Sequence, residues 1–355
     1  MSTKVLMKGN EAIGEAAIMA GCRHFFGYPI TPQTELSAYM AKKLPKIGGT
    51  FLQAESEIAA INMVYGAAAA GARAMTSSSS PGISLKAEGI SYIAAADLPA
   101  VIVNIMRGGP GLGGIQPAQS DYFQATKGCG HGDYHVIVLA PNSVQEMACL
   151  TAEAFNLADE YRIPVMLLGD GTLGQMMEPV DFDLIPEPVT SIKDWAVTGT
   201  NGERDANCVK TLYLTPSELE NTVLERYKKY DIIKDKLQRA QMYNTDDADI
   251  IISAYGITSR VAETAAKALR KEGMRIGIIR PITLWPFPER VYKEVKPKAF
   301  LSVEMSMGQM VDDIRLACEC RVPVYFTGRT GGIIPTPEEI VAKVREIARE
   351  VGIYD

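Results

Sequence analysis

A threonine, a glutamate pair and an arginine, each beside a predicted turn, are the residues of this chain best suited to chemistry. Thr31 lies in Gly27-Tyr-Pro-Ile-Thr-Pro32, where two prolines restrict the backbone ahead of a helix expected from about Gln33 to Lys43. A hydroxyl held there either positions a small polar substrate or caps that helix, and the local pattern favours neither. Glu55 and Glu57, in Gln53-Ala-Glu-Ser-Glu57, stand at a strand-to-helix transition. An acid in that place is stabilised by the helix dipole or, if buried, can exchange a proton and a hydrogen bond with a heterocycle nitrogen. Arg107, in Met106-Arg-Gly-Gly-Pro-Gly111, is the only arginine between Arg73 and Arg162 and directly follows an apolar strand. Buried there, a guanidinium needs an anion, which makes it a carboxylate or phosphate binder, with a solvated loop arginine as the alternative. The adjacent glycines let a ligand approach the backbone.

Three other patterns point elsewhere and are weaker. Gly109-Pro-Gly-Leu-Gly-Gly114 satisfies the dinucleotide-binding spacing, but it follows a fourth strand and runs into Pro117 instead of opening a helix, so it reads as a flexible loop beside a site. Gly169-Asp-Gly171 with Asn201 imitates a metal–diphosphate motif, yet Pro179, Pro186 and Pro188 intervene and no βα unit connects them. No metal site is therefore assigned to this chain. Ser77–Ser80 reads as a polar loop, with no nearby histidine to make a nucleophile.

The elements that must hold these residues alternate strand and helix. Strands are expected at His24–Gly27, Thr50–Gln53, Ala72–Thr76, Ala100–Ile105, His135–Leu139 and Val165–Leu168. Asn10 is placed to cap a helix over 11–21, Ser56 one through Ala70, and Ser143 one to Tyr161. The class is α/β with a parallel sheet over residues 1–177. A connector follows over 178–246, with fading periodicity and a charged helical stretch from Pro216 to Met242. A smaller α/β unit then covers 247–355, with strands at Asp249–Ala254, Arg275–Ile279, Phe300–Val303 and Val322–Phe326.

At 355 residues and 47% apolar composition the chain has material for two such cores. A net charge of −6 without a dense Lys/Arg run argues against nucleic acid. Glu11 and Glu15 interrupt what would be a secretory signal, and the uncharged run Ile58–Ala72 is too short to span a membrane. The expectation is a soluble cytoplasmic protein with no membrane partner. The cysteines at 22, 129, 149, 208, 318 and 320 lack the two-residue gap of cluster or zinc sites and read as reduced structural thiols.

Taken together, Tyr28-Pro-Ile-Thr-Pro32, Gln53-Ala-Glu-Ser-Glu-Ile-Ala-Ala-Ile-Asn62, Ser79-Ser-Pro-Gly82, Met106-Arg-Gly-Gly-Pro-Gly111 and Leu139-Ala-Pro-Asn-Ser-Val-Gln-Glu146 resemble the alpha subunit of thiamine-diphosphate-dependent 2-oxoacid:ferredoxin oxidoreductases. Ala254-Tyr-Gly-Ile-Thr-Ser-Arg260, Arg280-Pro-Ile-Thr-Leu-Trp-Pro286 and Val303-Glu-Met-Ser-Met-Gly-Gln309 extend the likeness over nearly the whole chain. The resemblance implies a pyrimidine-binding domain followed by a transketolase-C-terminal-like domain. It implies thiamine diphosphate held by Tyr28, Pro29, Ile30, Glu57 and Ser80, with Glu57 on the aminopyrimidine ring, and a 2-oxoacid carboxylate held by Thr31 and Arg107. It also implies a beta subunit carrying the diphosphate and Mg2+, an iron–sulfur gamma or delta subunit, ferredoxin, and coenzyme A as acyl acceptor, in a hetero-oligomer of anaerobic metabolism. Within the family the branched-chain (3-methyl-2-oxobutanoate, or ketoisovalerate) type is most similar and the 2-oxoglutarate type next. A solitary arginine suits an apolar substrate side chain. A self-contained thiamine enzyme and a non-catalytic assembly subunit with the same fold are the competing readings.

Overall fold

Aliphatic runs buried on both faces dictate the central architecture. In the computed structural model, which describes residues 4–190 and 192–353, Ala100–Met106 and Pro164–Asp170 are buried at every position and pair in parallel, Ala100 opposite Pro164 through Met106 opposite Asp170. A sheet so enclosed must be covered by helices on both sides. Among the described residues the sheet has seven strands in the order Thr283–Trp285, Ile137–Leu139, Pro164–Asp170, Ala100–Met106, Ala74–Ser78, His24–Gly27, Thr50–Gln53. All neighbours pair in parallel except Thr283–Trp285, which is antiparallel.

The strand order reverses between His24–Gly27 and Ala74–Ser78: from the first the chain moves outward to Thr50–Gln53, and from the second it moves inward to Ala100–Met106. Connections leaving in opposite directions open a crevice at the carboxyl ends of those two strands, where ligands of open α/β sheets bind. The loops bearing Thr31 and Ser80 both emerge there. The helices Glu57–Ala69 and Ser80–Ala95 lie against each other, with Ser56 capping the first through the Ala59 amide at 3.2 Å.

Residues from 240 onward build a five-stranded sheet in the order Val324–Gly328, Ala299–Glu304, Ile250–Ser253, Ile276–Pro281, Ala240–Tyr243, parallel but for the last strand. Its core is separate, centred on Ile250, Ile252, Leu301 and Val344. The two sheets are tied covalently and sterically: just after Ile276–Pro281 the chain adds Thr283–Trp285 to the edge of the first sheet. Arg280, fully buried, forms a bidentate pair with Glu146 at 2.6 and 2.9 Å beside that crossing.

Several expectations change. Asn10 does not cap: the helix begins at Gly9, and the Asn10 amide reaches the Pro32 carbonyl at 2.8 Å. The charged helix ends at Lys236, and 240–243 is a strand whose ladder partners lie far along the chain, invisible to local periodicity. Met177–Val180 is likewise a strand, paired with Val5–Lys8. Ser77–Ser80 is no polar loop but a buried strand-to-helix junction. All six cysteines are free, yet Cys208 and Cys320 are exposed and pack no core.

His135 stacks on Trp285 with ring centroids 4.4 Å apart and meets Tyr230 at 5.2 Å, clamping the crossing strand. Burial first, then repulsion from Lys234 and Lys127, lowers its pKa to about 4. The unfolded chain takes up that proton near pH 6.5, so the stabilisation is complete above 6.5 and lost as pH falls toward 4. Between pH 7.5 and 5, urea unfolding should show a loss of about 1 kcal/mol, half the full linkage value because the ring is partly exposed. His135→Phe should flatten that dependence, and an equal loss in the variant would rule His135 out as its source.

Candidate active site

The loop Tyr28–Pro32 owes its shape to partners on three elements. Gln33, buried beneath it, donates to the Tyr28 carbonyl at 3.2 Å and accepts from the Ser77 hydroxyl at 2.6 Å. Asn10 holds Pro32, and the Arg107 Nη1 donates to the Thr31 carbonyl at 3.0 Å. The following helix, Thr34–Lys43, has Gln33 at its N-cap, so Thr31 is not its cap. The Thr31 side chain is exposed and, among the described residues, its hydroxyl makes no hydrogen bond. Tyr28 and Pro29 are exposed on the same loop, and Ile30 is half-buried.

Arg107 follows the last residue of the central strand and is 7% exposed. Its Nη1 and Nη2 donate to the carbonyls of Thr31 and Leu112, at 3.0 and 3.1 Å, while Nε is buried with no acceptor. Among the described residues no carboxylate lies within ion-pair distance of it. The loop that covers it closes through Gly108 and Gln116, and Gly113 sits at φ +57° with the Gly108 carbonyl 1.9 Å from where a Cβ would project, so only glycine fits. This loop is therefore held by its own backbone bonds and by Arg107.

Ser80 connects Arg107 to the neighbouring helix. Its hydroxyl accepts from the Arg107 amide at 3.0 Å and donates to Asp121 at 2.6 Å, and Asp121 also accepts from Asn104 at 2.9 Å. Burial raises the Asp121 pKa, and the bonds from Ser80 and Asn104 oppose it. The Ser80 hydroxyl is thus committed to holding Arg107, with its Pro81 neighbour on a cleft of about 440 Å³ that Gly109–Gly111, Met307, Gln309 and Thr330 also line.

Glu57 is 6% exposed in the first turn of its helix, and among the described residues its carboxylate accepts no hydrogen bond. It lies against Gly82, where an added Cβ would come within 2.7 Å of Glu57 Oε1 and 2.1 Å of Ser78 Oγ. The hydroxyls of Ser78 and Ser79, beside it, are buried without partners. Glu55 is exposed. The fold thus links Thr31 to Arg107 and Arg107 to Ser80 by hydrogen bonds, and sets Glu57 against Gly82 on the helix that Ser80 opens. The sequence reading missed Gln33, Asn104 and Asp121; each is a polar residue whose partner is distant in sequence, and no spacing signals it.

Asp170, of the Gly-Asp-Gly pattern, accepts from the amides of Thr172, Leu173 and Ile257 at 3.1, 3.0 and 3.0 Å. It caps a short helix and docks the second unit, which leaves its carboxylate spent. Asn201 stands in an exposed turn.

Residues 15–244 match the family described as pyruvate flavodoxin/ferredoxin oxidoreductase, thiamine diP-bdg, and residues 248–340 match the pyruvate:ferredoxin oxidoreductase core domain II. The chain is 50% identical to the ketoisovalerate oxidoreductase subunit VorB of Methanothermobacter marburgensis, over 97% of this chain and 98% of that protein. It is 39% identical to the 2-oxoglutarate synthase subunit KorA of the same organism, over 97% and 99%. Among solved structures, a 2-oxoglutarate:ferredoxin oxidoreductase from Magnetococcus marinus with 2-oxoglutarate, coenzyme A and succinyl-CoA bound superposes with a TM-score of 0.87 at 31% identity. That match covers 97% of this chain but 65% of the other, so this chain spans just under two thirds of it. A split-gene transketolase shares the fold, with a TM-score of 0.60 at 16% identity.

The Glu57–Gly82 contact is tight enough to test. Gly82→Ala must push the Glu57 and Ser78 side chains aside, and urea denaturation of the full chain should show a loss of about 1–3 kcal/mol. Unchanged stability would mean that the two helices can separate freely at this end.

Proposed function

Because the chain belongs to the pyruvate flavodoxin/ferredoxin oxidoreductase family, we propose that it is the substrate-holding and proton-exchanging subunit of a 2-oxoacid:ferredoxin oxidoreductase acting on 3-methyl-2-oxobutanoate. The reaction is the CoA-dependent oxidative decarboxylation of that 2-oxoacid: the carboxyl carbon leaves as carbon dioxide, the acyl group passes to the coenzyme A sulfur, and two electrons go one at a time to ferredoxin. The observation that carries this reading is Arg107, a guanidinium buried one strand from the switch point and bonded to the Thr31 loop there, with no carboxylate among the described residues to neutralise it. A 2-oxoacid carboxylate placed there would supply the missing anion, with the free Thr31 hydroxyl beside it.

The residues present suit thiamine diphosphate at its heterocyclic end. A buried carboxylate without a donor and two unpartnered hydroxyls mark a place where a hydrogen-bonding ring is expected. When bound, the cofactor supplies a carbon nucleophile for the keto group and an electron sink for the bond that breaks. Glu57 would exchange a proton at the ring nitrogen, and Tyr28, Pro29 and Ile30 would form its wall. Ser80 would act on this site through Arg107, which it holds by the backbone. Asp170 is buried and already holds three backbone amides, and the cysteines carry no cluster motif. We assign the diphosphate and Mg2+ to a beta subunit, and the iron–sulfur clusters to a gamma or delta subunit.

The edge strand Thr50–Gln53 and the exposed Tyr28, Leu52 and Ile58 around Glu57 form the face on which the beta subunit would close. Among the described residues no helix is long and apolar enough to cross a membrane, and we place the enzyme in the cytoplasm. The branched-chain substrate is favoured by identity, 50% to a ketoisovalerate oxidoreductase subunit against 39% to a 2-oxoglutarate synthase subunit. We assign residues 1–177 to the pyrimidine-binding domain, 178–246 to a connector and 247–355 to the transketolase-C-terminal-like domain.

The test is 2-oxoacid-dependent dye reduction by the complex reconstituted from its copurified subunits. Glu57→Gln should lower kcat by roughly 10²–10⁴-fold, and Arg107→Ala should cost about 10²-fold or more in kcat/KM through a raised KM. Wild-type rates with Glu57→Gln would leave the chain a non-catalytic assembly subunit. Decarboxylation by this chain alone would overturn the divided site.

A further inference from the structure

On the helix Ser80–Ala95, Gly82, Lys86 and Gly89 recur at four- and three-residue intervals and share the face that packs on the helix Glu57–Ala69. The two glycines allow a very close approach: a Cβ on Gly82 would stand 2.7 Å from Glu57 Oε1, and one on Gly89 would stand 2.4 Å from Ile61 Cγ2. Lys86, between them, is sealed from solvent at 0% exposure. Its ammonium has three donors, and its one hydrogen bond runs to the Glu57 backbone carbonyl at 3.4 Å. Among the described residues no carboxylate lies within ion-pair distance. Methionine would fill the same space without the cost of a buried charge, so packing alone gives no reason for lysine here.

The charged surroundings single out one neighbour. Ala100–Met106, packed on this helix, carries no titratable side chain. Asp170, at the end of Pro164–Asp170, is spent on backbone amides. Asp121 is tied to Ser80 and Asn104, and burial pushes the Cys129 thiol up to about 12. Burial pulls the Lys86 pKa down to about 8, and the Glu57 carboxylate is the charge that opposes it.

We propose that Lys86 is a positioning residue for Glu57: its buried ammonium holds the Glu57 backbone carbonyl and so fixes the helical turn that aims the Glu57 carboxylate. The proposal rests on Glu57 being the proton-exchanging group of the proposed reaction. A carboxyl whose helical turn is anchored meets a ring nitrogen in one orientation, which is what proton exchange requires. No covalent step is involved.

The experiment uses Lys86→Met and Lys86→Arg in the full chain, each measured by urea unfolding and, in the reconstituted complex, by kcat and the 2-oxoacid KM for dye reduction. Lys86→Met should unfold at the same or higher urea than wild type and lose at least about tenfold in kcat with KM unchanged. Lys86→Arg should return kcat toward its wild-type value. If Lys86→Met does not assemble, Lys86→Gln takes its place with the same expectations. An unchanged kcat, or a rate that falls only in step with stability, overturns the proposal. Glu57→Gln in parallel separates the two levels: if it is inactive while Lys86→Met keeps the wild-type kcat, Lys86 alone is wrongly assigned. If Glu57→Gln is fully active, the proposed function fails as well.

Discussion

The register between Ala100–Met106 and Pro164–Asp170 is the constraint on which the remaining geometry depends. Each strand is hydrogen-bonded on both sides and buried throughout, so neither can slip by one residue without breaking two ladders and repacking the close-fitted side chains on both faces. Met106 faces Asp170 at the end of that ladder. One residue beyond Met106 lies Arg107, committed to the Thr31 loop, and Asp170 holds the amide of Ile257 in the second unit. The same strand pair that aims the guanidinium also docks the C-terminal core, and the two ends cannot be adjusted independently.

Interior polar contacts extend this fixed frame outward. Gln119 accepts from the Met305 amide at 3.0 Å and donates to the Tyr255 carbonyl at 2.7 Å, while the Tyr122 hydroxyl donates to Asp313 at 2.5 Å. Each bond joins the segment that follows the Arg107 loop to the second unit, in a buried interface where an unpaired partner would be costly. The second unit therefore supports the site from behind, through the backbone that carries Asp121 and, with it, Ser80.

Much of this was legible in the sequence, and the boundary has a physical reason. The first-sheet strands His24–Gly27 and Thr50–Gln53 match their expected limits, and Ser56 and Ser143 cap as read, because alternation and capping are written in neighbouring residues. Thr31, Glu57 and Arg107 were singled out from types and turns together with the family resemblance, since local pattern alone left each open, and the fold sets them at one end of one sheet. What escaped were features whose partners lie far along the chain: Thr283–Trp285 joining the first sheet, Gln33 under its loop, Asp121 behind Ser80. Lys86 escaped for another reason. A lysine at helical spacing between glycines reads as a solvated face, and only the approach of the two helices reveals that it has none.

The meaning of Arg107 is sharpened by the other buried arginines of the same molecule. Arg280, at 0% exposure, is matched by Glu146, and Arg226, at 6%, by Asp97 at 3.3 Å. In both places the fold brings a carboxylate to the guanidinium, as the cost of burying a lone charge requires. At Arg107 the surrounding acids are engaged elsewhere, Asp121 by Ser80 and Asn104 and Asp170 by three amides, and only carbonyl oxygens of Thr31 and Leu112 are offered. Carbonyls orient a guanidinium without neutralising it. A fold that supplies an acid to two buried arginines, and none among the described residues to the third, supports the anion-binding role proposed for Arg107.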